Sequence, residues 1–400
     1  MKINKIIKAL KKGSFISDVR DFLFIRLVPF YSFILKNKRV NKKKIVFSNF
    51  YGRGYGDNPK YIAEYILSHN LDYDLVWLID PKRCIQGTDL PNEVRMVRYK
   101  SYKSVKELAT AGYWIDNCRK DYFPEKKASQ VYIQTWHGTF LTKKIEGEAD
   151  NLLDSYVKAA KRDSKAIDYL LSSNAERTKQ LKRCFWYEGP IIETGCPRDD
   201  ILFRNESTDR IKSKVYNYFN ISKDKKVVLY VPTFRNSYSV EPYNVDYKKL
   251  LESLEKRFGC KWVVIIRLHP GMISFVNKLN LPDYVIQGTF YNDIQELLCA
   301  SDVILTDYSS MGDYSLYLKP LFMYCPDLEE YKKERAFEVP IESYPFPLAH
   351  DNEELSNNII NFDVKSYEEK LKNYYDMQGL VEGGKACEKV MEIIEGGKEC

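Results

Sequence analysis

Val131-Tyr132-Ile133-Gln134-Thr135-Trp136-His137-Gly138-Thr139 joins a β-branched, apolar run to a His-Gly pair. Such a run reads as a buried strand, and the glycine after His137 permits a sharp bend with no Cβ beside the imidazole. A second run, Trp262-Val263-Val264-Ile265-Ile266-Arg267-Leu268-His269-Pro270, ends the same way, and these are two of only four histidines in 400 residues. Strands that deliver an imidazole at their carboxyl ends place it where ligands bind in open α/β sheets.

Working outward, apolar strands alternate with helical segments. Strands are predicted at 45–50, 74–79, 94–99, 113–117, 131–135, 169–173 and 191–194, with helices such as 101–109 and 175–184 between them. The pattern restarts after a charged connecting helix at 207–220, with strands at 227–231, 262–269, 284–286 and 303–306. This alternation means parallel sheets covered on both faces. The expectation is an α/β protein of two Rossmann-like, doubly wound domains facing across a cleft, 44–205 and 206–350, followed by C-terminal helices at 351–400 that cross back to the first domain. Gly52-Arg53-Gly54-Tyr55-Gly56 has G-x-G-x-G spacing, a poor dinucleotide fingerprint, and reads as a turn. Asn58-Pro59 reads as the N-cap and first turn of the next helix.

A formal charge of +7 suits an anionic substrate or surface but is too weak to imply nucleic acid. Nine scattered cysteines with no C-x-x-C pair read as free thiols in a reducing compartment. Residues 1–43 form a basic amphipathic segment. Its apolar run, Phe22 to Leu35, is broken by Arg26 and Pro29, and crossing a bilayer takes about 20 mostly apolar residues. An interfacial anchor on anionic lipid is the expectation; the alternative is a helix packed on the protein's own surface.

Thr306-Asp307-Tyr308-Ser309-Ser310 ends a buried strand and opens a helix, and reads either as a phosphate site built on Ser309 and Ser310 or as a simple N-cap. Arg267 and Arg235 stand at strand ends as candidate phosphate ligands, with surface ion pairing as the alternative. Thr194-Gly195-Cys196-Pro197-Arg198-Asp199-Asp200 reads as a turn that can line the same cleft. Asp72-Tyr73-Asp74 has a D-x-D spacing, but at the start of a strand, so no metal is expected there.

Six blocks in order carry a resemblance: Gln134 to Thr139, Thr194 to Asp200, Tyr230-Val231-Pro232-Thr233-Phe234-Arg235, Arg267 to Pro270, Thr306 to Ser310, and Lys319-Pro320-Leu321-Phe322. Together they resemble the CDP-glycerol glycerophosphotransferases, the bacterial teichoic acid primases and polymerases. The family usually has an aromatic residue at Cys196, Asn at Asp199 and Trp at Phe234. The resemblance implies a GT-B architecture, His137 and His269 as the functional pair, and a donor site of Arg267, Thr233, Arg235, Asp307, Ser309 and Ser310. Trp136, Gly138, Thr139, Arg198 and Asp200 are the expected cleft and acceptor residues. The implied partners are a CDP-linked polyol, glycerol or ribitol, and a lipid-linked, teichoic or capsular acceptor at the cytoplasmic membrane face. No metal, bound cofactor or nucleic acid is expected, and an oligomer is compatible. A nucleotide-sugar glycosyltransferase of the same architecture and a non-catalytic scaffold are the competing classes.

Overall fold

The computed structural model describes residues 15–84, 89–140, 142–203, 205–237, 239–308, 311–381 and 383–396. By their contacts these form two compact units, one of Met1–Trp136, Lys158–Leu170 and Val390–Cys400, the other of His137–Val157 and Leu171–Lys389.

Thirteen strands are present among the described residues: β1 Asn41–Ser48, β2 Asp74–Ile79, β3 Val94–Arg98, β4 Ala111–Asp116, β5 Val131–Gln134, β6 Tyr169–Ser172, β7 Ile191–Glu193, β8 Lys225–Val231, β9 Lys261–Ile266, β10 Val285–Gln287, β11 Val303–Thr306, β12 Leu321–Tyr324 and β13 Leu348–Ala349. One sheet has the order β3-β2-β1-β4-β5-β6-β7 and the other β10-β9-β8-β11-β12-β13. The ladders of β1 with β2 and β4, and of β8 with β9 and β11, are parallel. Each sheet therefore reverses direction once, between β1 and β4 and between β8 and β11, and such switch points are where doubly wound sheets bind ligands. The central strands are buried throughout their apolar halves, Ile45 to Phe47 and Val227 to Tyr230 all at 0% exposure. Burial on both faces is why they are continuous apolar runs rather than alternating ones. The two-sheet α/β class expected from the sequence is the one found.

At the first switch point the Asn117 amide donates to Asn49 Oδ1 at 2.8 Å. The loop that leaves β1 is unusual. Phe50, Tyr51 and Gly52 have φ of 40°, 61° and 83°, and Asp57 has 56°. The loop is held from outside: Asn117 Oδ1 accepts from Phe50 N–H, the Asn49 amide and Trp77 indole donate to the Gly54 carbonyl, and Asp80 N–H donates to the Gly52 carbonyl. The helix after it begins at Asp57 with Gly56 as N-cap and no side-chain cap. Asn58 is thus not the cap its sequence suggests. Its amide instead reaches the Trp136 carbonyl, 3.1 Å away.

The helix Phe15–Leu35 buries Phe24, Val28 and Leu35, with the Phe24 ring edge-on to Tyr122 at 5.0 Å. Its other side exposes Phe22, Leu23, Phe30, Phe33 and Ile34. One stripe thus packs on the protein's own surface, and the other is open. Among the described residues no helix is long and apolar enough to cross a membrane. The lysines before residue 15 lie outside the described residues.

A Cβ at Gly52 would lie 2.8 Å from the Asp80 backbone nitrogen, on a residue whose φ is already +83°. Gly52→Ala is therefore expected to destabilise the protein by about 1–3 kcal/mol, measured by urea denaturation; an unchanged midpoint would contradict the strain assigned to this loop.

Candidate active site

His137 sits on a backbone fixed on both sides. Ahead of it, Thr135 N–H donates to the Asp116 carbonyl at 2.8 Å, and Trp136 N–H to Gln134 Oε1 at 3.0 Å. Trp136 takes φ 51°, a left-handed conformation costly for a bulky residue; the Asn58 amide on its carbonyl holds it there. Behind His137, Thr139 and Phe140 N–H both donate to Asp313 Oδ1 at 3.1 Å, and Arg198 donates to Asp313 Oδ2 at 2.7 Å. The Thr139 carbonyl accepts from Ser173 Oγ and from the Asn174 amide. A Cβ at Gly138 would come 2.9 Å from Nη2 of the buried Arg177, which explains the glycine. The imidazole itself is partly exposed.

Asp307 organises the second switch point. Its carboxylate accepts from Thr233 N–H at 2.8 Å, Thr233 Oγ1 at 2.5 Å, Arg235 Nη2 at 2.9 Å and Tyr308 N–H at 2.6 Å. Arg235 also pairs with Asp327, at 2.6 Å and 3.0 Å, and donates to the Thr233 carbonyl. Burial alone would weaken its hold on the proton, but the two carboxylates outweigh that and raise its pKa. Arg235 and Thr233 thus direct their donors into the protein.

No motif points to Lys143, whose ammonium lies 5.2 Å from the Tyr331 ring centre. Among the described residues no carboxylate is within ion-pairing distance of it. Burial, reinforced by Arg335 and Arg235 against the attraction of Asp307, pushes its pKa down to about 8. Backbone bridging brings it here: Lys144 N–H donates to the Ala336 carbonyl and Glu338 N–H to the Thr142 carbonyl.

His269 is exposed and caps the 3-10 stretch Pro270–Lys278, its Nδ1 accepting from Gly271 N–H at 3.0 Å. Accepting at Nδ1 puts the proton of the neutral ring on Nε2. Arg267, two residues earlier, donates to the Tyr291 carbonyl, and burial lowers its pKa. His137 and His269 belong to the same compact unit. Ser309 and Ser310 lie outside the described residues.

The expected acceptor residues face inward. Thr139, Arg198 and Asp200 are at 0%, 6% and 1% exposure. Asp200 accepts the N–H groups of Ala386 and Cys387, capping the helix Ala386–Glu395. Asp74 forms a two-pronged pair with Arg95.

The sequence pattern of the CDP-glycerol:poly(glycerophosphate) glycerophosphotransferases matches residues 30–396, and the chain belongs to that family. It is 31% identical to a teichoic acid poly(glycerol phosphate) polymerase of Staphylococcus epidermidis over 91% of this chain and 52% of that protein. A protein of the same description from Bacillus spizizenii is 32% identical, over 89% of this chain and 93% of its own length. The chain thus spans about half the length of the first relative and nearly all of the second. A structure of the wall teichoic acid polymerase TagF, a histidine-to-asparagine variant soaked with CDPG, matches with a TM-score of 0.79 at 30% identity, covering 99% of this chain and 98% of that one. Proteins named for ribitol phosphate also match, at lower coverage or identity.

Lys143 titrates lower in the folded protein than its ordinary 10.5. Between about pH 8 and 10.5 the unfolded chain binds the extra proton, so stability rises with pH across that window. In urea denaturation Lys143→Met is expected to flatten this rise; the same rise in the variant would assign it to another group.

Proposed function

We propose that the chain transfers a polyol phosphate, glycerol phosphate by preference, from a CDP-linked donor to a hydroxyl of a teichoic acid or related cell-surface acceptor, releasing CMP. Family membership and the names of the relatives support this reading. The observation on the chain itself that carries it is the seat of His137, whose flanking backbone is pinned by Asn58 on one side and Asp313 on the other.

Phosphoryl transfer requires positioning and charge stabilisation more than covalent help from the protein. In this scheme His137 accepts the proton of the acceptor hydroxyl, a task suited to an imidazole at neutral pH. The oxygen attacks the phosphorus that carries the polyol, the bond to the bridging oxygen breaks, and CMP leaves. His269 donates through Nε2 to the leaving phosphate, with the positive charge of Arg267 two residues away. Ser309 and Ser310 hold donor phosphate oxygens. The steps use side chains and substrates alone, with no metal. Ribitol phosphate is the second reading, supported by the relatives named for it.

The open stripe of the helix Phe15–Leu35 supports attachment at the cytoplasmic membrane face, near a lipid-linked acceptor. Arg26 and Lys36 lie over the rings of Phe22 and Phe33, at 4.4 Å and 4.3 Å, an arrangement in which basic heads stay at lipid phosphates while the rings enter the interface.

Incubation of purified protein with CDP-glycerol or CDP-ribitol and a lipid-linked acceptor, read by mass spectrometry, is expected to give a glycerol phosphate adduct and CMP; UDP release from a sugar nucleotide instead would overturn the assignment. His137→Ala is expected to lower turnover about a hundredfold or more with CDP-glycerol binding retained, and wild-type turnover would exclude it as the base. Replacing Phe22, Phe30 and Phe33 together by Ser is expected to release the protein from sedimenting anionic vesicles without loss of folding, and unchanged co-sedimentation would exclude the helix as the anchor.

A further inference from the structure

The Gly-rich loop after β1, read from its spacing as a plain turn, has a property the scheme above does not use. Arg53 on this loop is exposed; its backbone N–H donates to the Asn49 carbonyl, while among the described residues its guanidinium has no ion pair and no hydrogen bond. The guanidinium of Arg83, just beyond β2, is near enough to repel it. Arg83 has a partner, Asp80 Oδ2 at 3.5 Å from Nε, and lies 6.0 Å from the Tyr51 ring. Two arginines are thus gathered at the carboxyl edge of β1 and β2, beside the switch point of the first sheet. The gathering is structural: Gly52 accepts from Asp80 N–H, which joins the backbone of the Arg53 loop to that of the Arg83 turn. The neutral Asn49–Asn117 pair at the switch point brings no carboxylate to neutralise Arg53.

A guanidinium with no carboxylate partner, set beside a second one that is paired on one edge only, is suited to bidentate recognition of phosphate. The loop also leads into the helix whose Asn58 holds the Trp136 carbonyl, next to His137. We infer that Arg53 and Arg83 form a binding site for a phosphate group of the acceptor, presented by the Phe50–Asp57 loop at the first switch point. The shared ligand chemistry is a phosphodiester or diphosphate near the reacting hydroxyl, from the polymer itself or from its lipid carrier. This rests on the transferase reading, and it supplies the acceptor-side cation that the inward-facing Arg198 does not.

The test uses the full chain with a soluble glycerol phosphate oligomer, a lipid-linked diphosphate acceptor, and anionic vesicles lacking acceptor. Arg53→Ala and Arg83→Ala are expected to raise the KM for at least one phosphate-bearing acceptor about ten- to hundredfold. CDP-glycerol affinity by calorimetry and thermal stability are expected to be unchanged, and Arg53→Lys to recover part of the loss. A KM raised for both acceptors assigns the polymer phosphodiester; one raised only for the lipid-linked form assigns the carrier diphosphate. Unchanged acceptor KM, or a loss confined to vesicle binding, overturns the proposal. Calorimetric binding of the oligomer to wild type but not to Arg53→Ala would sustain the site even if transfer from CDP-glycerol failed, so the two readings fail separately.

Discussion

The carboxylate of Asp313 is the constraint on which the candidate site depends. One oxygen takes two backbone N–H groups just beyond the His137 bend, and the other takes the Arg198 guanidinium, all within a buried setting. A buried ion is tolerated when paired and hydrogen-bonded, and this one is; loss of the carboxylate would leave the buried Arg198 with the longer contact to Asp199, 3.8 Å away. The helix that carries Asp313, Met311–Ser315, is only five residues long, too short to hold itself together by its own hydrogen bonds. The loop and the helix therefore stabilise one another, and the bend that carries His137 is held through Thr139 by a residue 174 positions further along the chain.

Charge is distributed unequally around the second switch point. Arg235 is an internal strut: it satisfies Asp307 and Asp327 and lies 4.7 Å and 4.9 Å from the rings of Tyr308 and Tyr331. Lys143 is a cation over the same Tyr331 with no carboxylate of its own among the described residues. The first is rigid and always charged. The second has its pKa lowered to about 8, so its charge is lost at a lower pH than that of an ordinary lysine.

Much of the architecture was legible because buried parallel strands print themselves as uninterrupted apolar runs, and their ends mark the sheet edge where His137, His269, Asp307 and Arg235 stand. What escaped the sequence were the uses of polar side chains. Asn58 looks like a helix cap and is a brace for Trp136, 78 residues on; Asp200 looks like a cleft residue and caps a helix 186 residues on. An aspartate or asparagine has the same appearance whether it binds a ligand or a backbone amide. Only the fold decides, and no periodicity records the choice. The chain does bend at His137, but Gly138 does not take a left-handed conformation; what favours glycine there is the close approach of Arg177.

The two sheets share one winding order, with β1 to β6 of the first corresponding to β8 to β13 of the second. Their switch points are bridged at matching places, by Asn49 with Asn117 in one and by Thr233 with Asp307 in the other. The histidines break the correspondence: His137 follows the fifth strand of its sheet, His269 the second strand of its own. Superimposing the halves strand on strand would not bring one imidazole onto the other. Whatever ancestry the halves share, the repeat extends to the scaffold and not to the two imidazoles, so each histidine is a separate acquisition rather than one of two copies of one invention.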